Sequence, residues 1–332
     1  LKGLNRMPPV NTTMIKDYFE DTVLYVFQME EACFNANLDE LQDIIDLNQH
    51  TKDPQIQEWT SIYQLFLQRL RGEITPHDLL KSVQYKTSDQ PLMFCAYRLL
   101  HAYSCYDNRE LGVLKHVLVQ IRDELEKIKD SCVEPFYHFR LCQLLSNYYL
   151  SQNEVDKVRE HAYVIINYCS TQAYIASAYH TLGISYLFED YDKGIHALQM
   201  ALDIYEELGE LTKINNVKRS IVFFNNYWSV IGDLMIYSNQ TRDIHERAHA
   251  EVRKENKKKA IQLLNALEID QFGYLEMGYH YFYMGLATDN VDYLYRSIEA
   301  FKKINYKFAA NMARVELYER GERPTAIEAA YN

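Results

Sequence analysis

Residues 179–202 read YHTLGISYLFEDYDKGIHALQMAL, and their spacing decides the fold. Tyr179, Leu182, Gly183 and Tyr186 fall at the three- and four-residue intervals that place side chains on one helical face. After a short turn, Gly194, Leu198 and Ala201 repeat the interval on a second helix. Gly183 and Gly194 are expected to let the two backbones approach, with Tyr186 filling the groove beside them. The unit is therefore a helix, a turn and a second amphipathic helix.

Two further segments follow the same plan: SNYYLSQNEVDKVREHA from Ser146 and HYFYMGLATDNVDYLYRSIEAF from His280. A weaker copy, YRLLHAYSCYDNRELGVLKHVL, begins at Tyr97. The set resembles tetratricopeptide repeats, and 179–202 comes nearest the consensus although it is one residue short at the turn. Such units cannot bury their apolar stripes alone and must stack. The expected fold is all-α: a tetratricopeptide-like right-handed α-α superhelix, or solenoid, whose concave side is lined by the first helix of each pair. A groove of that kind suits an extended peptide or a partner helix better than a small metabolite.

Composition agrees with an array. Over 332 residues only 11 Gly and 7 Pro occur, too few turn-formers for a many-stranded β protein, whereas 28 Tyr and 14 Phe supply bulk for helix packing. Pro54, Pro76, Pro91 and Pro135 stand at or near the first position of expected helices, where a missing N–H costs nothing. The formal charge of −11 gives no stretch basic enough to follow a nucleic-acid backbone. The run from Arg253 to Lys259 reads as a solvated helix end. Six cysteines lie singly in apolar helical stretches without a CxxC pair, as in a reducing cytosol. No apolar run reaches the roughly 18 residues of a membrane span, and there is no signal peptide, so a cytoplasmic location is expected. The stretch LKGLNRMPPVNTT (1–13) reads as a linker into a first helix near Met14, with a preceding domain expected upstream. The array is expected over 14–320, and 321–332 as a capping or dimerisation segment.

One motif raises the question of chemistry. His245-Glu246-Arg247-Ala248-His249 is a literal HExxH, the pattern that sets two zinc ligands and a general base on one helical face. Arg247 inside it, the basic run after it and the lack of a GxxH extension argue for coincidence. No phosphate loop, nucleophile elbow or Cys-His-Asn spacing accompanies it, and no enzyme activity, metal or other cofactor is expected. Asparagine is more informative. Asn147 and the pair Asn225-Asn226 interrupt apolar helix interiors, where Asn is a poor helix former and costly to bury unpaired. Their carboxamides can grip a peptide backbone or bond a neighbouring helix.

The stretches MIKDYF (14–19), RLCQLLSNYYLSQNE (140–154), YHTLGISYLFEDY (179–191), FFNNYW (223–228), RAHAEVRKENKKKAIQLLNALE (247–268), and HYFYMG with RSIEAFKKINYKF (280–308) resemble the AimR-type arbitrium receptors of temperate Bacillus phages. That resemblance implies a homodimeric transcriptional regulator of the lysis–lysogeny decision, with a short signalling peptide bound by the array and DNA bound by an N-terminal helix-turn-helix domain that precedes this segment. It also implies the site: Asn147 matches a peptide-contacting asparagine, and Leu187, Phe223 and Phe308 match apolar contacts. Ser151, Asn226 and Met277 complete the expected set. The family has asparagine at Ser151, Ile184 and Leu275, arginine at Ala173, glutamine at His245 and aspartate at Tyr306. Loss of that aspartate removes a charge-assisted contact of about 1.5–3 kcal/mol, so the peptide here is expected to differ from the family's. An adaptor that holds a protein partner without peptide control is the alternative reading, and a phosphatase of the related Rap type a third.

Overall fold

The computed structural model describes residues 21–128, 131–230 and 240–332. The expected linker 1–13 and the helix near Met14 lie outside these residues. Among them are seventeen α-helices, one short 3-10 turn and no strand, so the fold is all-α and built of tetratricopeptide-like helix pairs. By internal contacts the chain divides into two compact units. One comprises residues up to Tyr148 together with Glu160–Ala178, and the other Tyr149–Arg159 together with Tyr179–Asn332.

In chain order the helices are α1 (Asp21–Phe34), α2 (Leu38–Asn48), α3 (Pro54–Arg71), α4 (Pro76–Val83), α5 (Pro91–Asp107), α6 (Leu111–Leu125), α7 (Glu134–Ser151), α8 (Val155–Tyr168) and α9 (Gln172–Ser185). There follow α10 (Tyr191–Leu208), α11 (Leu211–Tyr227), α12 (Thr241–Arg253), α13 (Lys257–Asn265), α14 (Tyr274–Thr288), α15 (Val291–Lys303), α16 (Lys307–Glu319) and α17 (Pro324–Tyr331). Pro54, Pro76 and Pro91 each occupy the first helical position, as their sequence context predicts. Asp53 and Thr75 complete two of these starts by accepting from the amides of Gln55 and Asp78. All four repeat segments are helix-turn-helix.

The first unit is held by a buried polar cluster. Arg140 on α7 donates through Nε to Glu30 Oε1 on α1 at 2.7 Å, and both side chains are almost wholly enclosed. Tyr63 on α3 donates to the other Glu30 oxygen at 3.0 Å and meets the Tyr137 hydroxyl at 3.3 Å. The remaining guanidinium nitrogens reach Tyr174 and Cys33, and the group lies over the rings of Phe66 and Phe34. A charge this deep is tolerable only because each donor has an acceptor.

In the second unit, close approach takes over. A Cβ on Gly183 would stand 2.9 Å from the Gly194 carbonyl oxygen and 2.7 Å from Leu198 Cγ. One on Gly194 would stand 2.3 Å from the Phe224 ring. Tyr186, expected to fill the space beside them, carries the Arg159 guanidinium 4.0 Å above its ring. The same device recurs between α14 and α15, where Gly278 faces Phe301 and Gly285 faces Leu294. At the carboxyl end α17 packs on α15 and α16, with Ile327 fully buried and Arg314 paired to Glu328 at 2.7 Å.

Two outcomes follow for urea denaturation. Arg140→Met strands the Glu30 charge and should lower stability by about 3–5 kcal/mol, with the Glu30→Met, Arg140→Met double variant losing less. Gly194→Ala should cost about 1–3 kcal/mol by overpacking against Phe224, whereas Gly112→Ala, with open space around it, should be neutral or stabilising by up to about 1 kcal/mol.

Candidate functional site

The second unit carries a run of aromatic rings that leads from the buried Phe308 to the surface at Trp228. Phe308 lies 5.0 Å from Phe188, Phe188 5.7 Å from Tyr227, and Tyr227 6.4 Å from both Phe223 and Trp228. Trp228 is fixed by donating Nε1–H to the Leu187 carbonyl at 2.9 Å. Phe188, Phe223 and Tyr227 are half-buried and Trp228 is exposed, so one edge of the run reaches solvent. These rings come from the α9–α10 turn, the end of α11 and the start of α16. The sequence FFNNYW alternates faces there, with Phe224 turned wholly inward and Phe223 only partly so.

The expected site residues separate on inspection. Phe223 and Met277 are half-buried, as are Ile184, Leu275 and Tyr306 at the positions that depart from the family pattern. Leu187 and Phe308 are buried, at 0% and 4% exposure, and Ser151 is buried too. Asn147 is half-buried on α7, four residues before Ser151, and belongs to the first unit, as does Ala173. Both asparagines of the pair take part in bonds between helices. Asn225 Oδ1 accepts from the Tyr191 hydroxyl at 2.9 Å. Asn226 Nδ2 donates to the main-chain oxygen and to Oε2 of Glu246, each at 3.2 Å.

The HExxH helix, α12, is built into the same region. His245 Nε2 lies 3.4 Å from His280 Nδ1 on α14, and both rings are buried. Glu246 accepts a short hydrogen bond from Tyr283. His249 is fully buried, its Nδ1 3.6 Å from Glu246 Oε2, and neither ring nitrogen has a hydrogen-bond partner among the described residues. No three His, Cys, Asp or Glu side chains among the described residues are grouped to hold a metal. Sequence reasoning weighed Glu246 only as a zinc-site base and missed its partners Asn226 and Tyr283. The available signal was that 246, 249 and 253 share one face of α12.

Paired helices joined by short turns define a tetratricopeptide-like, all-α class of repeat protein. Within that class the chain belongs to the AimR transcriptional regulator-like family, whose profile matches residues 26–319. It is 24% identical over 292 residues to the AimR transcriptional regulator of Bacillus phage SPbeta, covering 87% of this chain and 75% of that one. Its fold matches a solved phAimR–ligand structure with a TM-score of 0.77 at 20% identity, over 94% of this chain and 93% of that one. A Rap protein complexed with competence and sporulation factor matches with a TM-score of 0.63 at 11% identity, over 93% and 99%. No helix among the described residues is long and apolar enough to cross a membrane.

Burial sets a pH dependence. It lowers the pKa of His245 to about 3, helped by the neighbouring His280, and that of His180 to about 4, helped by Lys213. An unfolded histidine titrates near 6.5, so below that pH the unfolded chain binds protons that the folded chain refuses. Stability is then full above pH ~6.5 and falls by about 1.4 kcal/mol per unit for each histidine as the pH drops toward those folded values. Denaturation midpoints measured from pH 7 to 4.5 should fall steadily, and His245→Gln should flatten the decline.

Proposed function

We propose that this chain is the sensor part of a peptide-responsive transcriptional regulator that directs a phage between lysis and lysogeny. The observation that carries the reading is the family match along 26–319, joined to an aromatic edge left open in the second unit. The fold shared with phAimR–ligand and with the Rap complex supports it. In this reading the candidate peptide contacts are Asn147, Phe223 and Met277. Leu187, Phe308 and Ser151 of the same candidate set are buried, and Asn226 is bonded to Glu246. The array runs over 14–320 in a cytoplasmic homodimer. DNA is bound by a helix-turn-helix domain N-terminal to this segment, and 321–332 caps the array or joins protomers.

Apolar or aromatic side chains at Ile184, Leu275 and Tyr306 favour a peptide richer in apolar residues than one gripped by asparagines and an aspartate. The same observation keeps the adaptor alternative in play, since each lost polar grip weakens peptide control. Pull-down of the full-length protein from infected cells distinguishes them, with DNA expected for a regulator and a stoichiometric protein for an adaptor.

Calorimetry with synthetic hexapeptides encoded by the small open reading frame next to the gene should show saturable binding. Asn147→Ala should weaken it by about ten-fold, the worth of one good hydrogen bond. Absence of binding by every such peptide to the folded protein would count against peptide sensing.

A further inference from the structure

The Glu246 side chain and its helix address one place, the last turn of α11. Residues 246, 249 and 253 recur at i, i+3 and i+7 and so share a face of α12. Each meets α11 at a different point. Glu246 receives both hydrogens of the Asn226 carboxamide, one on its main-chain oxygen and one on its carboxylate. His249 sets its ring 6.3 Å from that of Phe223. Arg253 donates to the carbonyls of Asn226 at 2.8 Å and Tyr227 at 3.3 Å in the last turn of α11, where the Asn226 oxygen also accepts from the Ser229 amide at 3.2 Å. Glu246 is itself fixed from the far side by Tyr283 on α14.

We propose that Glu246 is a positioning residue. Held by Tyr283, it fixes Asn226 and through it the carboxyl end of α11, so that Phe223, Tyr227 and Trp228 are presented in one arrangement. Asn226 then acts on a ligand through these rings and not by touching it. The HExxH spacing has its use here as a clamp: Glu246 and His249 lie between α11 and α14, with the His249 ring 6.3 Å from Phe223 and 5.1 Å from Tyr283, while His245 turns to His280 on α14. The claim rests on the peptide-sensing reading only for what the rings are used for; the clamp itself stands on the geometry. A carboxylate enclosed to this degree is stabilised by its donors, and removal of either partner of the Asn226–Glu246 pair should release the same segment.

The test uses Trp59→Phe protein, which leaves Trp228 as the sole tryptophan, and needs no ligand. In that background Glu246→Ala and Asn226→Ala should each red-shift Trp228 emission and raise its quenching by acrylamide. The double variant should go no further than either single one, because one interaction is being removed twice. Glu246→Gln, which keeps one acceptor oxygen, should fall between parent and Ala, and serves with Asn226→Ala if Glu246→Ala does not fold by far-UV circular dichroism. Unchanged Trp228 emission and quenching, or independent additive shifts, would overturn the proposal.

A second arm titrates the same variants with the hexapeptides of the adjacent reading frame. Glu246→Ala should lose about ten-fold in affinity along with Asn226→Ala. Loss on Asn226→Ala with Trp228 unmoved would mean that Asn226 touches the peptide itself, and would also overturn the proposal. If the parent binds none of them, the peptide reading fails, while the quenching arm still decides the clamp.

Discussion

Helices that are apolar on most of their circumference have to be covered on most of it, and this constraint governs the chain. α9 and α14 are of this kind: QAYIASAYHTLGIS and YLEMGYHYFYMGLAT offer almost no charged face. Covering them demands neighbours at short range, which is why Gly183, Gly278 and Gly285 stand where any Cβ would collide with Leu198, Phe301 or Leu294. Once helices pack so closely, polar side chains carried within them are sealed from water and have to find one another. Glu30 with Arg140 in one unit and Glu246 with Asn226 and Tyr283 in the other are the outcome.

That constraint also explains how much the sequence discloses. Helix starts were legible because proline, Asp53 and Thr75 mark them by local chemistry, and the repeat plan because Gly183, Gly194 and Leu198 keep their interval. Turn ends were less legible. Arg109, Glu255 and Asp289 adopt the left-handed backbone that glycine would announce, with φ of 62°, 62° and 56°. The buried clusters were not legible, because Glu30 and Arg140 are 110 residues apart and nothing local pairs them. For the same reason the sequence does not show that Leu187 and Phe308, expected as apolar contacts from the resemblance, are buried, and Asn226 reads equally as a ligand grip or as a bond between helices.

Family membership and packing meet at one feature. In the second unit Phe223 and Tyr227 are half-buried and Trp228 is exposed, an aromatic edge that costs free energy in water. The positions that differ from the family pattern, Ile184, Leu275 and Tyr306, lie half-buried and so can change the surface without altering how the helices stack.

Hydrogen–deuterium exchange in the presence and absence of a candidate signalling hexapeptide tests most directly the proposal that the end of α11 faces a peptide ligand. Slower exchange over 223–230 on peptide addition, with the fully packed α5 unchanged, is the predicted result. Peptide bound with protection elsewhere and none at 223–230 would contradict it.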